Sequence, residues 1–279
     1  MRTDYVLGLS TAGYHKMAYR EWGHPDNERV LVCVHGLARN GRDFDDIAKA
    51  LSRDYRVICP DIVGRGESDW LKDPTGYTFA QYLSDIMSLL ARLNVKEVDW
   101  LGTSMGGLLG IMLAAYPNSP IKRLILNDVG PFVSKEALKR IGEYLKPSWY
   151  ESVTDAKAAM QANYPALRYI REEQWQHLVR YGYRLDSKGW TQHYDPAIGD
   201  MARANSSEDV DLWPFWQGIQ CPQLLIWGEA SDVLTRDTVE QMQQLNPALS
   251  LYALPDIEHV PSLMEEEHIE TITTWLRNN

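Results

Sequence analysis

Two hydrophobic patterns alternate along most of the chain. Continuous apolar runs of five to seven residues are typical of strands buried on both faces, and they occur at 30–34, 55–61, 98–103, 123–128, 223–228 and 249–254. Between them, apolar residues at helical spacing predict helices near 44–51, 79–93, 105–116, 235–245 and 262–276. This alternation predicts right-handed βαβ units, and therefore an α/β fold with a doubly wound, mostly parallel sheet.

The alternation is interrupted once, between residues 131 and 214. This segment has helical patterning but no buried-strand run, and it is rich in tyrosine and tryptophan. Its 11 Lys/Arg and 12 Asp/Glu nearly cancel, so almost all of the net charge of −10 lies elsewhere in the chain. We therefore predict an α/β core formed by residues 1–130 and 215–279, and an inserted α-helical unit at 131–214.

The candidate chemistry is concentrated where the predicted strand 98–103 runs into an apolar helix. The junction has the pattern Gly-x-Ser-x-Gly, with Ser104 between Gly102 and Gly106. A tight strand-to-helix turn of this kind holds a serine hydroxyl above the sheet as a nucleophile. The glycines are needed because neighbouring backbone closes in on both sides of the turn. We expect the N–H of Met105, at the helix N-terminus, to point toward a developing oxyanion.

A serine nucleophile needs a base and an acid that orients the base. In a doubly wound sheet both should follow strands downstream of Ser104, in the order acid and then histidine. Asp232 follows the strand 223–228 and His259 follows the strand 249–254, so we predict Asp232 as the acid and His259 as the base. Asp128 also ends a strand and is the alternative acid.

These features together resemble the α/β-hydrolase family. The matching marks span residues 30–260 and comprise His35-Gly36, the loop 61–68, the elbow 102–106, the loop 228–232 and Glu258-His259. The resemblance implies that Leu37, after the His-Gly pair, supplies the second oxyanion N–H. It also implies that residues 131–214 form a helical cap over the nucleophile. We expect His35 to brace the oxyanion loop, and Asp61 or Arg65 to stabilise the loop 61–68.

The resemblance implies a serine hydrolase that cleaves esters, thioesters or lactones through an acyl-enzyme. The aromatic residues of the cap suggest an apolar pocket for small apolar or aromatic substrates, with Trp149 and Trp190 as possible substrate contacts. These rings could equally pack cap against core, which is the commoner role of a buried aromatic. Arg39 is a candidate for contacting a substrate carboxylate, although an ordinary structural arginine is the simpler interpretation.

Other activities of the same fold stay open at this point. A serine at the elbow argues against dehalogenases and epoxide hydrolases, which use a carboxylate nucleophile. Hydrolysis of carbon–carbon bonds in ring-cleavage products, enol-lactone hydrolysis, perhydrolysis and acyl transfer all use a serine triad. A ligand-binding receptor with slow turnover is the alternative from another class, and measurable steady-state turnover would separate it from an enzyme.

Composition excludes several partner classes. An acidic chain with a pI of about 5.2 lacks the basic surface that nucleic acids or anionic membranes require. Its three cysteines, Cys33, Cys59 and Cys221, are odd in number and widely spaced, and they favour buried thiols over disulfides. No spacing resembles a zinc site. We expect a cytoplasmic monomer or homodimer that acts on a small ester-type molecule without a cofactor or metal.

Overall fold

The first half of the core is an α/β unit that begins with a hairpin. The computed structural model describes all 279 residues. Its first elements are β1 (Arg2–Ser10), β2 (Gly13–Trp22), β3 (Val30–Val34), α1 (Asp45–Leu51), β4 (Arg56–Pro60), α2 (Phe79–Leu93), β5 (Val98–Thr103), α3 (Met105–Ala114) and β6 (Ile121–Asn127). In this half, β3, β4, β5 and β6 are the strands that the apolar runs predict. The hairpin β1–β2 was not predicted, because burial alternates in β1 and the buried stretch of β2 includes Arg20 and Glu21, so no continuous apolar run marks it.

The inserted segment contains short strands as well as helices. Its elements are β7 (Phe132–Val133), α4 (Lys135–Tyr144), β8 (Trp149–Tyr150), α5 (Val153–Asn163), α6 (Glu172–Gly182), β9 (Tyr183–Asp186), β10 (Gly189–Gln192), α7 (Ala197–Ala204) and β11 (Val210–Asp211). The strands β8, β10 and β9 form a small antiparallel sheet, and β7 pairs with β11. The insertion thus contains the expected helices, together with short strands that were not predicted. Strands of two to four residues are too short to produce a recognisable period in the sequence.

The second half of the core completes the same sheet. Its elements are α8 (Trp213–Trp216), β12 (Gln223–Gly228), α9 (Arg236–Leu245), β13 (Ser250–Leu254) and α10 (Glu266–Asn278). The sheet has eight strands in the order β1-β2-β4-β3-β5-β6-β12-β13, and every pair from β4 to β13 is parallel. None of the ten helices combines the length and the apolar surface that crossing a bilayer requires.

Both faces of the sheet are buried, as the continuous apolar runs require. Along β3, Val30, Val32 and Val34 pack into the larger hydrophobic cluster, whereas Leu31 and Cys33 pack into a second cluster on the opposite face. Helices cover both faces, so the sheet is left open at the end where the parallel strands have their carboxyl ends. Ser104 and Asp128 lie at this end, directly after β5 and β6.

Candidate active site

Ser104 occupies a strained turn between β5 and α3. Its backbone has φ 50° and ψ −114°, a conformation that a non-glycine residue adopts only when its surroundings enforce it. The flanking glycines provide the space. A Cβ on Gly102 would lie 2.3 Å from the carbonyl oxygen of Gly106, and one on Gly106 would lie 2.0 Å from that of Val34. The steric reason inferred from the sequence is therefore the one that operates in the structure.

A line of hydrogen bonds runs from Ser104 through His259 to Asp128. The Ser104 hydroxyl donates to His259 Nε2 over 3.0 Å, and His259 Nδ1 donates to Asp128 Oδ2 over 2.7 Å. Asp128 is fully buried, and its other oxygen accepts the N–H of Gly228 at 2.9 Å. Both oxygens of the carboxylate therefore have partners, and only one of them can face the imidazole.

Asp232 does not contact His259, so its assignment as the orienting acid is corrected. Asp232 lies half exposed and forms an ion pair with Arg140 of α4. The physical reason is the position of each carboxylate relative to its strand. Asp128 is the first residue after β6, which lies between β5 and β12, whereas Asp232 is the fourth residue after β12. The extra residues carry Asp232 away from the sheet edge and toward the inserted segment.

The loop that carries His259 is tied to the sheet by a residue that sequence analysis missed. The Asn127 side-chain amide donates to the carbonyl of Pro261 at 3.0 Å and to Thr103 Oγ1 at 3.2 Å. Asn127 therefore joins the ends of β5 and β6 to the histidine loop. Its only sequence signal is its place directly before Asp128 at the end of a strand.

Two backbone N–H groups next to Ser104 are free to hold an oxyanion. The N–H groups of Leu37 and Met105 donate to no backbone carbonyl, and both residues line the space beside Ser104. Met105 begins α3, so its N–H also carries the positive end of the helix dipole. Both residues therefore lie beside Ser104 with their N–H groups unpaired, and their role as oxyanion donors stays a prediction.

His35 braces the loop that carries Leu37. Its Nδ1 donates to the carbonyl of Gly36 at 2.7 Å, and its Nε2 accepts the N–H of Ile62 at 2.9 Å. Complete burial lowers the pKa of His35 to about 4, so the ring is neutral near pH 7 and keeps the acceptor that Ile62 needs. His35 is therefore a structural residue of the oxyanion loop, as expected.

Arg65 and Asp61 hold the neighbouring loop from inside the protein. The buried Arg65 guanidinium donates to the carbonyl of Leu37 and to that of Val63, both at 2.8 Å. The buried Asp61 carboxylate accepts the Gly41 N–H at 2.7 Å and the Arg20 guanidinium at 2.8 Å. Both side chains therefore hold backbone groups of this and the neighbouring loop in place, in agreement with the stabilising role predicted for Asp61 or Arg65.

Comparison with known proteins identifies the family. The model of the alpha/beta hydrolase fold matches residues 29–265. The chain is an α/β-hydrolase. It is 43% identical over 278 residues to a 3-hydroxybutyrate-oligomer hydrolase of Cupriavidus necator, covering 96% of this chain and 95% of that protein. The match supports an ester-cleaving hydrolase.

Solved structures of other α/β-hydrolases superpose on the whole chain. A hydrolase from Rickettsia typhi is 37% identical with a TM-score of 0.93, and each chain is covered completely. An α/β-hydrolase from Novosphingobium aromaticivorans is 35% identical with a TM-score of 0.88, covering 100% of this chain and 98% of that one. The cap, residues 131–214, lies within the region that superposes.

A large apolar cavity opens on one side of Ser104. Its volume is about 340 Å³, and fifteen of its eighteen lining residues are hydrophobic. Most of these are aliphatic, and the only aromatic rings are those of Tyr77, Phe79 and Tyr82, which belong to the core. Helix α4 of the cap contributes Leu138 and Ile141 to this lining. The cavity therefore suits an aliphatic group better than a stacked aromatic one.

A smaller cavity of about 70 Å³ opens on the other side of Ser104 and carries charged groups. It is reached by His259, Arg39, Asp43 and Arg140, and it shares Leu37, Ser104 and Ile141 with the apolar cavity. Burial opposes the charge of Arg39, but the paired Asp43 carboxylate raises the pKa of this arginine above its ordinary value. The hydrolase thus presents one apolar and one charged space to the two sides of its serine.

The cap aromatics have a different role from the one that their number suggested. Trp149 is exposed in β8 and Trp190 lies in β10, and neither lines a cavity that reaches Ser104. Two tyrosines of the cap, Tyr144 and Tyr164, do line the smaller cavity. Tyr194 and Trp213 pack against the large hydrophobic cluster of the core, whereas Trp175 and Tyr183 pack within the cap. The assignment of Trp149 and Trp190 as substrate contacts is therefore wrong, because their strands belong to the cap's own small sheet.

Proposed function

We propose that this α/β-hydrolase cleaves carboxylic esters through a triad of Ser104, His259 and Asp128. The observation that carries the proposal is the unbroken line of hydrogen bonds from the serine hydroxyl to a buried carboxylate, with distances of 3.0 Å and 2.7 Å. A serine hydroxyl, an imidazole that accepts its proton and a carboxylate that orients the imidazole are the parts needed for acyl transfer.

The first half of the reaction forms an acyl-enzyme. Ser104 Oγ attacks the ester carbonyl carbon while its proton passes to His259 Nε2. Asp128 holds the Nδ1 proton and stabilises the imidazolium. The carbonyl oxygen becomes an oxyanion that accepts hydrogen bonds from the N–H groups of Leu37 and Met105. The carbon–oxygen bond to the alcohol then breaks, and His259 returns its proton to the departing alcohol.

The second half regenerates the enzyme. A water molecule gives a proton to His259 Nε2 and attacks the acyl carbon. The same two N–H groups stabilise the second oxyanion. The bond to Ser104 Oγ then breaks and His259 returns the proton to the serine. One water is consumed, and the products are a carboxylic acid and an alcohol.

The substrate class that fits best is a short aliphatic hydroxy-acid ester of the kind named for the Cupriavidus necator relative. That relative is named for hydrolysis of 3-hydroxybutyrate oligomers and matches nearly all of the chain. The largely aliphatic cavity beside Ser104 supports a small branched acyl group, and the charged cavity supports a polar group on the other side of the scissile bond. The apolar cavity contains no aromatic residue of the cap, so nothing there favours a specifically aromatic acyl group.

Hydrolysis of the 3-hydroxybutyrate dimer by wild type and Ser104→Ala tests the proposal. Wild type should release 3-hydroxybutyrate with saturation kinetics, and Ser104→Ala should lose on the order of 10⁴-fold or more in rate. p-Nitrophenyl acetate serves as a second substrate that does not depend on recognition of the dimer. Equal rates for the two proteins on both substrates would contradict the triad. Turnover of p-nitrophenyl acetate alone would contradict the substrate class and leave the triad intact.

A further inference from the structure

The charged cavity contains two arginines whose surroundings differ. Arg39 and Arg140 both line it, and each forms an ion pair with an aspartate. An arginine is suited to bind a substrate carboxylate because its planar fork matches the two oxygens. Whether it can do so depends on which N–H groups its protein partners leave free.

The guanidinium of Arg39 is held by protein groups at all three of its nitrogens. Its Nε and Nη2 donate to the two oxygens of Asp43 at 2.9 Å and 2.6 Å. Its Nη1 points to the sulfur of Met160 at 3.9 Å, and Tyr164 packs over its plane at 5.3 Å. The side chain is only 11% exposed. Arg39 therefore anchors the cavity wall, and it is more buried and has more protein contacts than Arg140.

Arg140 has a free edge. Its Nε and Nη2 donate to the carboxylate of Asp232, and no protein acceptor contacts Nη1. Asp232 does not line the cavity, so it holds the guanidinium from outside. Three of the five N–H donors of the fork stay without a protein partner. The side chain is 45% exposed, and an ion pair of this exposure stabilises the protein little, so it can readjust when a second carboxylate arrives.

We propose that Arg140 binds the free carboxylate of an anionic ester and thereby selects the ester bond next to it. This inference rests on the proposed function. Arg140 and Ile141 are consecutive on α4, and Ile141 contacts both cavities beside Ser104. A substrate lying across Ser104 thus has its acyl group in the apolar cavity and its carboxylate-bearing alcohol in the charged one. Because the charged cavity is small, only one short hydroxy-acid unit separates the carboxylate from the scissile ester.

A matched pair of substrates isolates this contact. The 3-hydroxybutyrate dimer and its terminal carboxamide contain the same single ester and differ only in the charge at one end. Chromatography of the released alcohol gives kcat/KM for each with wild type, Arg140→Gln, Arg140→Lys and Arg236→Gln. Arg236 is the matched control, because it also pairs with an acidic residue, Glu229, but lines neither cavity.

Wild type and Arg236→Gln should prefer the acid over the carboxamide by about tenfold, the effect of a half-exposed charged hydrogen bond. Arg140→Gln should bring the ratio close to one, mainly through KM of the acid, and Arg140→Lys should keep part of it. In wild type, raising the salt concentration from about 0.05 M to about 0.5 M should also lower the ratio, because salt screens exposed charges. The salt dependence is measured on wild type alone, so it tests the proposal even if a variant folds poorly.

Two results separate failure of this inference from failure of the proposed function. An unchanged acid preference in Arg140→Gln, or no acid preference in wild type, would overturn the role of Arg140 while hydrolysis of both dimers remains. Absence of turnover of both dimers, or equal turnover by Ser104→Ala, would overturn the proposed function and this inference with it.

Discussion

The substitution Asp128→Asn tests the most consequential feature of the site. Asparagine has nearly the same shape as aspartate, so it can occupy the same buried position. The N–H of Gly228 faces Oδ1 of Asp128 at 2.9 Å and requires an acceptor there. The asparagine oxygen must therefore take that place, which turns its NH₂ group toward His259 Nδ1.

The expected loss of activity follows from the tautomer of His259. An NH₂ group can only donate, so Nδ1 becomes an acceptor and the ring proton moves to Nε2. A protonated Nε2 cannot accept the proton of Ser104, which lies 3.0 Å away. In serine triads this substitution lowers kcat by about 10⁴-fold, and that factor corresponds to about 5 kcal/mol of transition-state stabilisation.

Asp232→Asn is the matched control, since it makes the same chemical change at the other candidate acid. Steady-state hydrolysis of p-nitrophenyl acetate by wild type and the two variants gives kcat and KM, and circular dichroism checks that each variant is folded. We expect Asp128→Asn to lose about 10⁴-fold in kcat. Asp232→Asn should stay within about tenfold of wild type, because its carboxylate contacts Arg140 and not the imidazole.

The opposite result would refute the reasoning. If Asp232→Asn abolished turnover and Asp128→Asn retained it, the loop after β12 would have to reach His259 in the working enzyme. Equal losses in both variants would mean that the line of hydrogen bonds does not describe how the base is oriented. Only a selective loss in Asp128→Asn agrees with the structure.

Three further predictions concern the pocket, the oxyanion loop and the elbow. In wild type, the two additional methylenes of p-nitrophenyl butyrate should raise kcat/KM roughly tenfold over that of the acetate, because burying each methylene contributes about 0.8 kcal/mol. Met201→Trp fills part of the apolar cavity and should remove this gain. Burial lowers the pKa of His35 from its ordinary 6.5 to about 4, so the neutral ring stabilises the protein above pH 6.5. As the pH falls from 6.5 to 4, the free energy of unfolding should decrease by about 3 kcal/mol. Urea unfolding measured across this range should show a shallower pH dependence in His35→Gln. Gly106→Ala places a Cβ 2.0 Å from the Val34 carbonyl oxygen, so its thermal midpoint should fall by several degrees or more.

The parallel core was predictable because its signals are local and strong. Strands such as β3 and β5 are buried on both faces, so their apolar runs are unmistakable, and α2 begins and ends where its period indicates. The hairpin β1–β2 and the small cap sheet were missed for the opposite reason. Strand β1 is half exposed, the buried part of β2 includes charged residues, and the cap strands are very short, so their pairing depends on contacts that no local pattern records.

The residues of the site also fall into those that the sequence predicts and those that it does not. Ser104 and His259 follow from strand ends and chain order, which are visible in the sequence. The choice between Asp128 and Asp232 is different, because it depends on how far each loop extends from the sheet edge and which side chain meets it there. Arg140 carried no signal at all, since an arginine in an amphipathic helix usually faces solvent. Its place beside the serine depends on how the cap folds back over the core.

The position of the orienting acid has a consequence for specificity. Because Asp128 at the end of β6 contacts His259, the loop after β12 is not needed to hold the base. Its carboxylate, Asp232, instead reaches the cap and fixes one edge of Arg140. Substitutions in the Arg140–Asp232 pair should therefore alter which esters bind while the line from Ser104 to Asp128 stays intact. If acid preference and kcat on a neutral ester always changed together in such variants, this separation of recognition from chemistry would be wrong.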